Sequence, residues 1–243
     1  MKYSYTDSGI EWLGKMPEHW KVTKIKSHFY VIPSNVDKKT NDGESEVKLC
    51  NYVDVYYNER ITADVDFMIA SANEHEIRKF TLQTNDVLIT KDSEDPFDIA
   101  VPSIVKHTED KLLCGYHLSM LRGKTGKYSG DFLFWVLKDS AIVSQLHREA
   151  IGVTRWAIAS RHIKNSIIPL PPMEEQVEIA AFLDSACAKI DRIIGIKGKA
   201  TEGSIVLEQV EILKAYRRSL IHECVTGKKQ VFVRSGKKQK AVA

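Results

Sequence analysis

From residue 173 onward the chain reads as a helix that cannot stand alone. Ile179, Leu183, Ala186, Ile190 and Ile193 recur at spacings of four, three, four and three, the apolar a/d seam of a coiled coil. A second seam, Val206, Val210, Leu213 and Leu220, resumes further on. Read as one helix from Glu174 to about Thr226, the segment would extend on the order of 80 Å at 1.5 Å per residue. A small preceding domain cannot cover so long a stripe, so a partner helix is expected. Gly195, Gly198 and Gly203 fall between the seams. Each costs a helix about 1 kcal/mol relative to alanine, so this is where the rod would kink or break.

The boundary before this helix is Pro169-Leu170-Pro171-Pro172, where prolines remove backbone donors and force extended conformation. Upstream, β-rich runs at Val47 to Val55, Asp86 to Thr90, Ile99 to Lys106 and Leu112 to Arg122 are separated by turn clusters such as Asn41-Asp42-Gly43 and Gly123-Lys124-Thr125-Gly126. Helical patterns at Gly130 to Ala150 and Ser160 to Asn165 interrupt them. The expected fold class is therefore α+β: a globular domain over residues 1–172, then a long α-helical coiled-coil spacer over 173–227. Residues 228–243 form a tail of six basic residues and no acid. The thirty-five basic residues of the chain less these six leave 29 against 32 acidic ones, so net charge does not announce a nucleic-acid binder.

Several function classes lose their support at this level. The longest apolar run, Phe132 to Leu137, is far shorter than the roughly 20 residues of a membrane span. The first residues also lack a signal-peptide apolar region, and a cytoplasmic protein is expected. Cys50, Cys114, Cys187 and Cys224 form no C-x-x-C pair and read as reduced, buried thiols. The histidines, His19, His117 and His162 among them, show no metal-ligand spacing, so no metal site is expected. Asp95-Pro96-Phe97-Asp98 lacks the second proline of a base-flipping motif and reads as a polar turn. Asp37, Glu46 and Lys48 have the residue types of a metal-dependent nuclease, a combination common by chance. No nucleotide-binding glycine motif is present, and no catalytic residue is assigned.

One block is specific. Asp7-Ser8-Gly9-Ile10-Glu11-Trp12-Leu13-Gly14-Lys15-Met16-Pro17-Glu18-His19-Trp20 resembles the start of a target-recognition domain in the specificity subunits of type I restriction-modification systems. Pro169-Leu170-Pro171-Pro172-Met173-Glu174-Glu175-Gln176, followed by Ile179-Ala180-Ala181-Phe182-Leu183-Asp184, is similar to that family's proline hinge and the start of its spacer helix. Arg217 to Leu220, Ile221 and Val225-Thr226-Gly227-Lys228 resemble the helix's end. Asp86-Val87-Leu88-Ile89-Thr90-Lys91 and Gly115-Tyr116-His117-Leu118 are similar to strands inside the recognition domain. The family carries two recognition domains and two spacers, and this sequence holds one of each. Glu174 and Glu175 also suit a helix N-terminus, and Trp12 and Trp20 suit core packing.

The resemblance implies a non-catalytic subunit that reads one half of a bipartite site in double-stranded DNA. It also implies DNA adenine methyltransferase subunits and translocating restriction endonuclease subunits as partners. No cofactor would reside in this chain; S-adenosylmethionine, ATP and magnesium would belong to those partners. Base reading needs donors and acceptors on exposed loops, with Lys and Arg on phosphates. The candidates are Lys38, Lys39 and Asn41; Lys91 and Asp92; Lys124, Lys127 and Tyr128; and Thr154, Arg155, Trp156 and Arg161, with Trp156 equally suited to a core. The helix seam would pair two copies into a homodimer and dock the methyltransferase. Two other readings stay open: a coiled-coil protein-interaction adaptor without DNA specificity, and a stand-alone nuclease or methyltransferase.

Overall fold

A computed structural model describes residues 3–124, 126–199 and 204–231. Its helices are α1 (Ile25–His28), α2 (Tyr52–Tyr57), α3 (Glu74–Phe80), α4 (Gly130–Leu137), α5 (Ser140–His147), α6 (Ser160–Asn165), α7 (Met173–Lys199) and α8 (Ser204–Val225). A five-stranded sheet runs in the order Phe29–Pro33, Leu118–Gly123, Val87–Thr90, Pro102–Val105, Arg60–Ile61, antiparallel except at its last pair. Its middle strands are apolar on both faces, because successive side chains point to opposite sides. Val87, Ile89, Ile104 and Leu121 enter a core shared with α4, whereas Leu88, Val105, Leu118 and Met120 enter a second core. A smaller sheet, ordered Leu112–Cys114, Ser45–Cys50, Met68–Ala72, packs with Phe80 of α3 around a third.

Several sequence expectations shift by local chemistry. The run Val47 to Val55 is cut at Asn51, whose capping box with Asp54 starts α2. Leu112 to Arg122 is two strands, divided by a turn at Gly115. The Gly130 to Ala150 helix is two, because buried Asp139 caps α5 by accepting from Ile142 N (3.0 Å). The segment Ser160 to Asn165 is α6 as read. All four cysteines are free and buried, and burial pushes the Cys114 thiol up to about 12. Asp95 caps a 3-10 turn over Pro96–Asp98. Lys48 pairs with Glu109 (2.7 Å), and Asp37 accepts from Lys39 N. No helix among the described residues is long and apolar enough to cross a membrane.

The single 80 Å rod is not what the chain forms. α7 runs unbroken through Gly195 and Gly198 to Lys199, about 40 Å, and α8 then packs antiparallel against it. Arg217 reaches Asp191 (3.0 Å) and Lys197 reaches Gln209 (2.6 Å). Gly203 lies outside the described residues. The seam thus finds a partner helix within its own chain. Ile179, Leu183, Ile190 and Leu220 are buried and Ala186 partly so, all in the core that includes α4. Towards the far end Val206, Val210 and Leu213 are half-buried and Ile193 is 42% exposed. Leu183 and Ile179, at 0% and 1% exposure, each contribute roughly 1.5–3 kcal/mol.

Polar contacts fix the hairpin to the domain. Glu59 accepts from Lys138 (2.8 Å) and from Arg217 (2.9 and 3.0 Å). Asp184 accepts from Arg60 (2.5 Å) and from the Trp135 indole (2.8 Å). Burial works against the Glu59 charge, but the two cations outweigh it and hold the carboxyl below its ordinary range. At the proline hinge, Ile167–Leu170 pairs antiparallel with Lys21–Lys24. One turn later, Glu175 accepts from Tyr3 Oη (2.8 Å) and Trp20 Nε1 (2.8 Å) and meets His19 Nε2 (2.7 Å). Gln176 binds Ser129 N, Lys127 O and Pro171 O. The N-terminal block, through His19 and Trp20, and the hinge block, far apart in sequence, therefore meet at Glu175.

Candidate functional site

The turn between Leu112–Cys114 and Leu118–Gly123 sets the position of His117. Gly115 N donates to Cys50 O (2.8 Å), and a Cβ at Gly115 would stand 2.8 Å from that same oxygen, so only glycine lets the turn lie this close to its neighbour. Lys91 N donates to His117 O (2.9 Å), which brings the imidazole beside Asp92 on the short strand Asp92–Ser93. That strand pairs with Trp156–Ala157, which pairs in turn with Ile151–Gly152. The result is a hairpin with Val153, Thr154 and Arg155 exposed at its tip. A Cβ at Gly152 would fall 2.1 Å from Arg155 O, so glycine closes the hairpin.

These elements converge on a cleft of about 490 Å³ lined by Lys38, Tyr52, Ser93, Asp95, Asp98, His117 and Arg155, among others. Arg155 directs Nη2 (2.9 Å) and Nε (3.1 Å) at one oxygen of Asp92. Its Nη2 also lies 3.1 and 3.3 Å from the His117 ring nitrogens, and His117 Nδ1 hydrogen-bonds Asp92 as well. Burial drives the His117 pKa below its ordinary value; Asp92 opposes this, and Arg155 and Lys38 reinforce it. Tyr52, edge-on to the His117 ring at 6.4 Å, stacks on Tyr56 at 5.5 Å and 15°. Tyr52 Oη meets Ser93 Oγ (3.2 Å), and Tyr56 Oη donates to Asp98 (3.0 Å). Phe97, 71% exposed, stands on the neighbouring turn.

The cleft carries both signs: Lys38 and Arg155 line it together with Glu94, Asp95 and Asp98, and Asp92 pairs with Arg155 and His117 beside it. Such a lining does not attract phosphate by bulk charge. It offers donors and acceptors to a polar, uncharged partner, and Tyr52, Tyr56 and Phe97 supply flat surface beside them.

Of the sequence candidates, Lys38 and Arg155 line this cleft and Asp92 holds Arg155 from beside it, with Thr154 on the adjoining tip and half-buried Trp156 packed against the large core. Lys39 and Asn41 are exposed on the following loop, where Asn41 N donates to Ser71 Oγ (2.8 Å). Two candidates are not exposed loop groups. Tyr128 is 4% exposed, and its hydroxyl donates to Pro169 O (3.0 Å); the glycine turn that contains it folds its ring inward against Phe29 and Phe132. Lys91 turns back to donate to Ser34 O (2.6 Å), and burial lowers its pKa. Lys124 and Lys127 are exposed but follow the far end of Leu118–Gly123, roughly 20 Å from His117 at the rise of a strand. Arg161 is exposed on α6, which packs on α1 and on Phe29–Pro33. Sequence reasoning missed Tyr52, Ser93 and, as part of a cleft, His117. The signal within reach was the Gly115-Tyr116-His117 turn between two apolar runs. Of the basic tail, Lys228 and Lys229 are described; Arg234, Lys237, Lys238 and Lys240 lie outside the described residues.

Comparison with known proteins gives a consistent picture. Residues 17–200 match the family model described as the type I restriction modification DNA specificity domain. The chain is 24% identical over 220 residues to the provisionally named MjaX type I restriction enzyme specificity subunit of Methanocaldococcus jannaschii, covering 87% of this chain and 51% of that protein. It is 25% identical over 222 residues to the MjaVIII type I restriction enzyme specificity subunit of the same organism, covering 90% and 48%. Its fold is similar to the crystal structure of the HsdS subunit from Thermoanaerobacter tengcongensis, with a TM-score of 0.55 and 17% identity over 76% of this chain and 46% of that one. The chain spans about half the length of the curated relatives it matches.

Proposed function

The chain belongs to the type I restriction modification DNA specificity domain family, and from that premise we propose that it recognises one half of a bipartite sequence in double-stranded DNA. The observation that carries this reading is the cleft beside the 151–157 hairpin. There a guanidinium, an imidazole, carboxylates and tyrosyl hydroxyls converge next to an exposed tip. Base edges in the major groove present this kind of mixed donor and acceptor pattern. Exposed Lys39, Lys124, Lys127 and Arg161 surround the domain as phosphate contacts that position without specifying.

In this reading residues 1–172 form the recognition domain, 173–227 the helical element and 228–243 a basic tail. The chain supplies recognition and geometry and carries out no catalytic step. Adenine methylation with S-adenosylmethionine, and ATP- and magnesium-dependent translocation and cleavage, belong to methyltransferase and restriction subunits docked on the assembly. The apolar far end of the hairpin, with Ile193, Ile196, Leu207 and Ile212 exposed, supports a homodimer formed through α7 and α8. Closed two-fold symmetry would then set two recognition domains on inverted half-sites. The adaptor reading explains that apolar end and leaves the polar cleft without a role.

The experiment is to co-express the chain with a methyltransferase subunit of a type I system and map adenine methylation by single-molecule sequencing. A bipartite methylated motif that disappears when this chain is omitted is the expected result. Methylation that does not depend on the chain would overturn the reading.

A further inference from the structure

The guanidinium of Arg155 is presented as a fork with one edge already taken. Nε and Nη2 face a single Asp92 oxygen at 3.1 and 2.9 Å, which fixes the plane of the group. Asp92 is itself 14% exposed and is also bonded to His117, so the carboxylate cannot swing away. Nη2 also lies 3.1 and 3.3 Å from the His117 ring nitrogens, so the end-on edge offers a partner Nη1 outright and Nη2 in competition with the imidazole; the Arg155 side chain is 51% exposed. A rigid fork of this kind matches two acceptors side by side. In duplex DNA these are guanine O6 and N7 or the two oxygens of a phosphate.

The surroundings separate the two. Glu94, Asp95 and Asp98 line the same cleft and would repel a phosphate, whereas a carboxylate is the natural acceptor for the cytosine N4 amino group that lies beside guanine O6 in the major groove. We propose that this cleft reads a G·C base pair, with Arg155 on guanine and Asp92 as its positioning residue. The proposal rests on the DNA-recognition reading and adds the identity of one base pair to it. Arg155 is a specificity-determining contact, and the 151–157 hairpin is the element that carries it into the groove.

The test is selection of full-length chain on a randomised duplex library followed by sequencing, for wild type, Arg155→Ala and Arg155→Lys, with thermal melts to confirm that each variant is folded. Wild type should enrich a motif that contains a fixed G·C pair. Arg155→Ala should relax that one position on the order of 5- to 150-fold while the other positions hold. Arg155→Lys, which keeps the charge and loses the fork, should relax it nearly as much. If Arg155→Ala weakens all sequences alike and Arg155→Lys restores binding, the contact is to phosphate; the proposal fails and DNA recognition stands. If wild type enriches no motif, the proposal fails together with the reading beneath it.

Discussion

Glu175→Ala should detach the N-terminal block from the helical hairpin, and the cost can be worked from the contacts. Glu175 is 1% exposed and accepts from Trp20 Nε1 at 2.8 Å, and the Trp20 ring is 2% exposed. Removing the carboxylate leaves that indole N–H buried without a partner, about 1–3 kcal/mol, and forfeits a charge-assisted bond. Tyr3 and His19 are less deeply placed, and water can replace part of what they lose. The expected total is about 3 kcal/mol. For a chain of this size that lowers the midpoint of thermal unfolding by roughly 6–12 °C. A double-mutant cycle with Trp20→Phe, read by urea unfolding, isolates the central bond. Because phenylalanine carries no N–H, Glu175→Ala should cost about 1–2 kcal/mol less in that background. Additive costs, or a Glu175→Ala midpoint equal to wild type, would refute the reasoning that this residue joins the two blocks.

Three further outcomes follow from local geometry. Gly227 ends α8 at φ +75°, and a Cβ there would stand 2.4 Å from Pro17 Cδ. Gly227→Ala should therefore destabilise the chain by about 2 kcal/mol or more in urea unfolding, against a few tenths for Gly123→Ala, which meets open space. The Glu59 carboxyl is held low by Lys138 and Arg217 after burial is overcome. Its contribution is thus present above the unfolded glutamate pKa and lost as pH falls through the lower folded value; Glu59→Gln should flatten stability against pH in that acidic window. His117 is driven low chiefly by burial, so the unfolded chain binds its proton more readily. Stability should rise with pH up to about 6.5, and His117→Gln should remove that part of the slope. An NMR titration of His117 should report a midpoint below 6.5.

The elements legible in the sequence are those set by local chemistry. The three prolines fix the hinge, the all-apolar run fixes Val87–Thr90, and the a/d spacing identifies the buried stripe of α7. The partner of that stripe was not legible, because heptad spacing states that a helix must be covered and not by what. The fold supplies α8 and α4 of the same chain. Lys91 and Tyr128 misled for a related reason. Each sits in a polar, turn-rich stretch, and only the tertiary structure shows the ammonium reaching back to Ser34 O and the phenol buried under Pro169. Arg155, Asp92 and Lys38 were legible as loop polar groups. Their convergence with His117 and Tyr52 depends on strand pairings between segments about 25 to 65 residues apart, which spacing along the chain does not encode.

The central claim is that this chain selects a DNA sequence, and the most direct measurement is equilibrium fluorescence anisotropy of the full-length chain with its methyltransferase partner. A duplex carrying the methylated motif is compared with a scrambled duplex at two or more salt concentrations. The account predicts that the motif binds on the order of 10³-fold or more tighter, with affinity for both duplexes falling as salt rises while the preference persists. Equal affinity for motif and scrambled duplex at every salt concentration would contradict it.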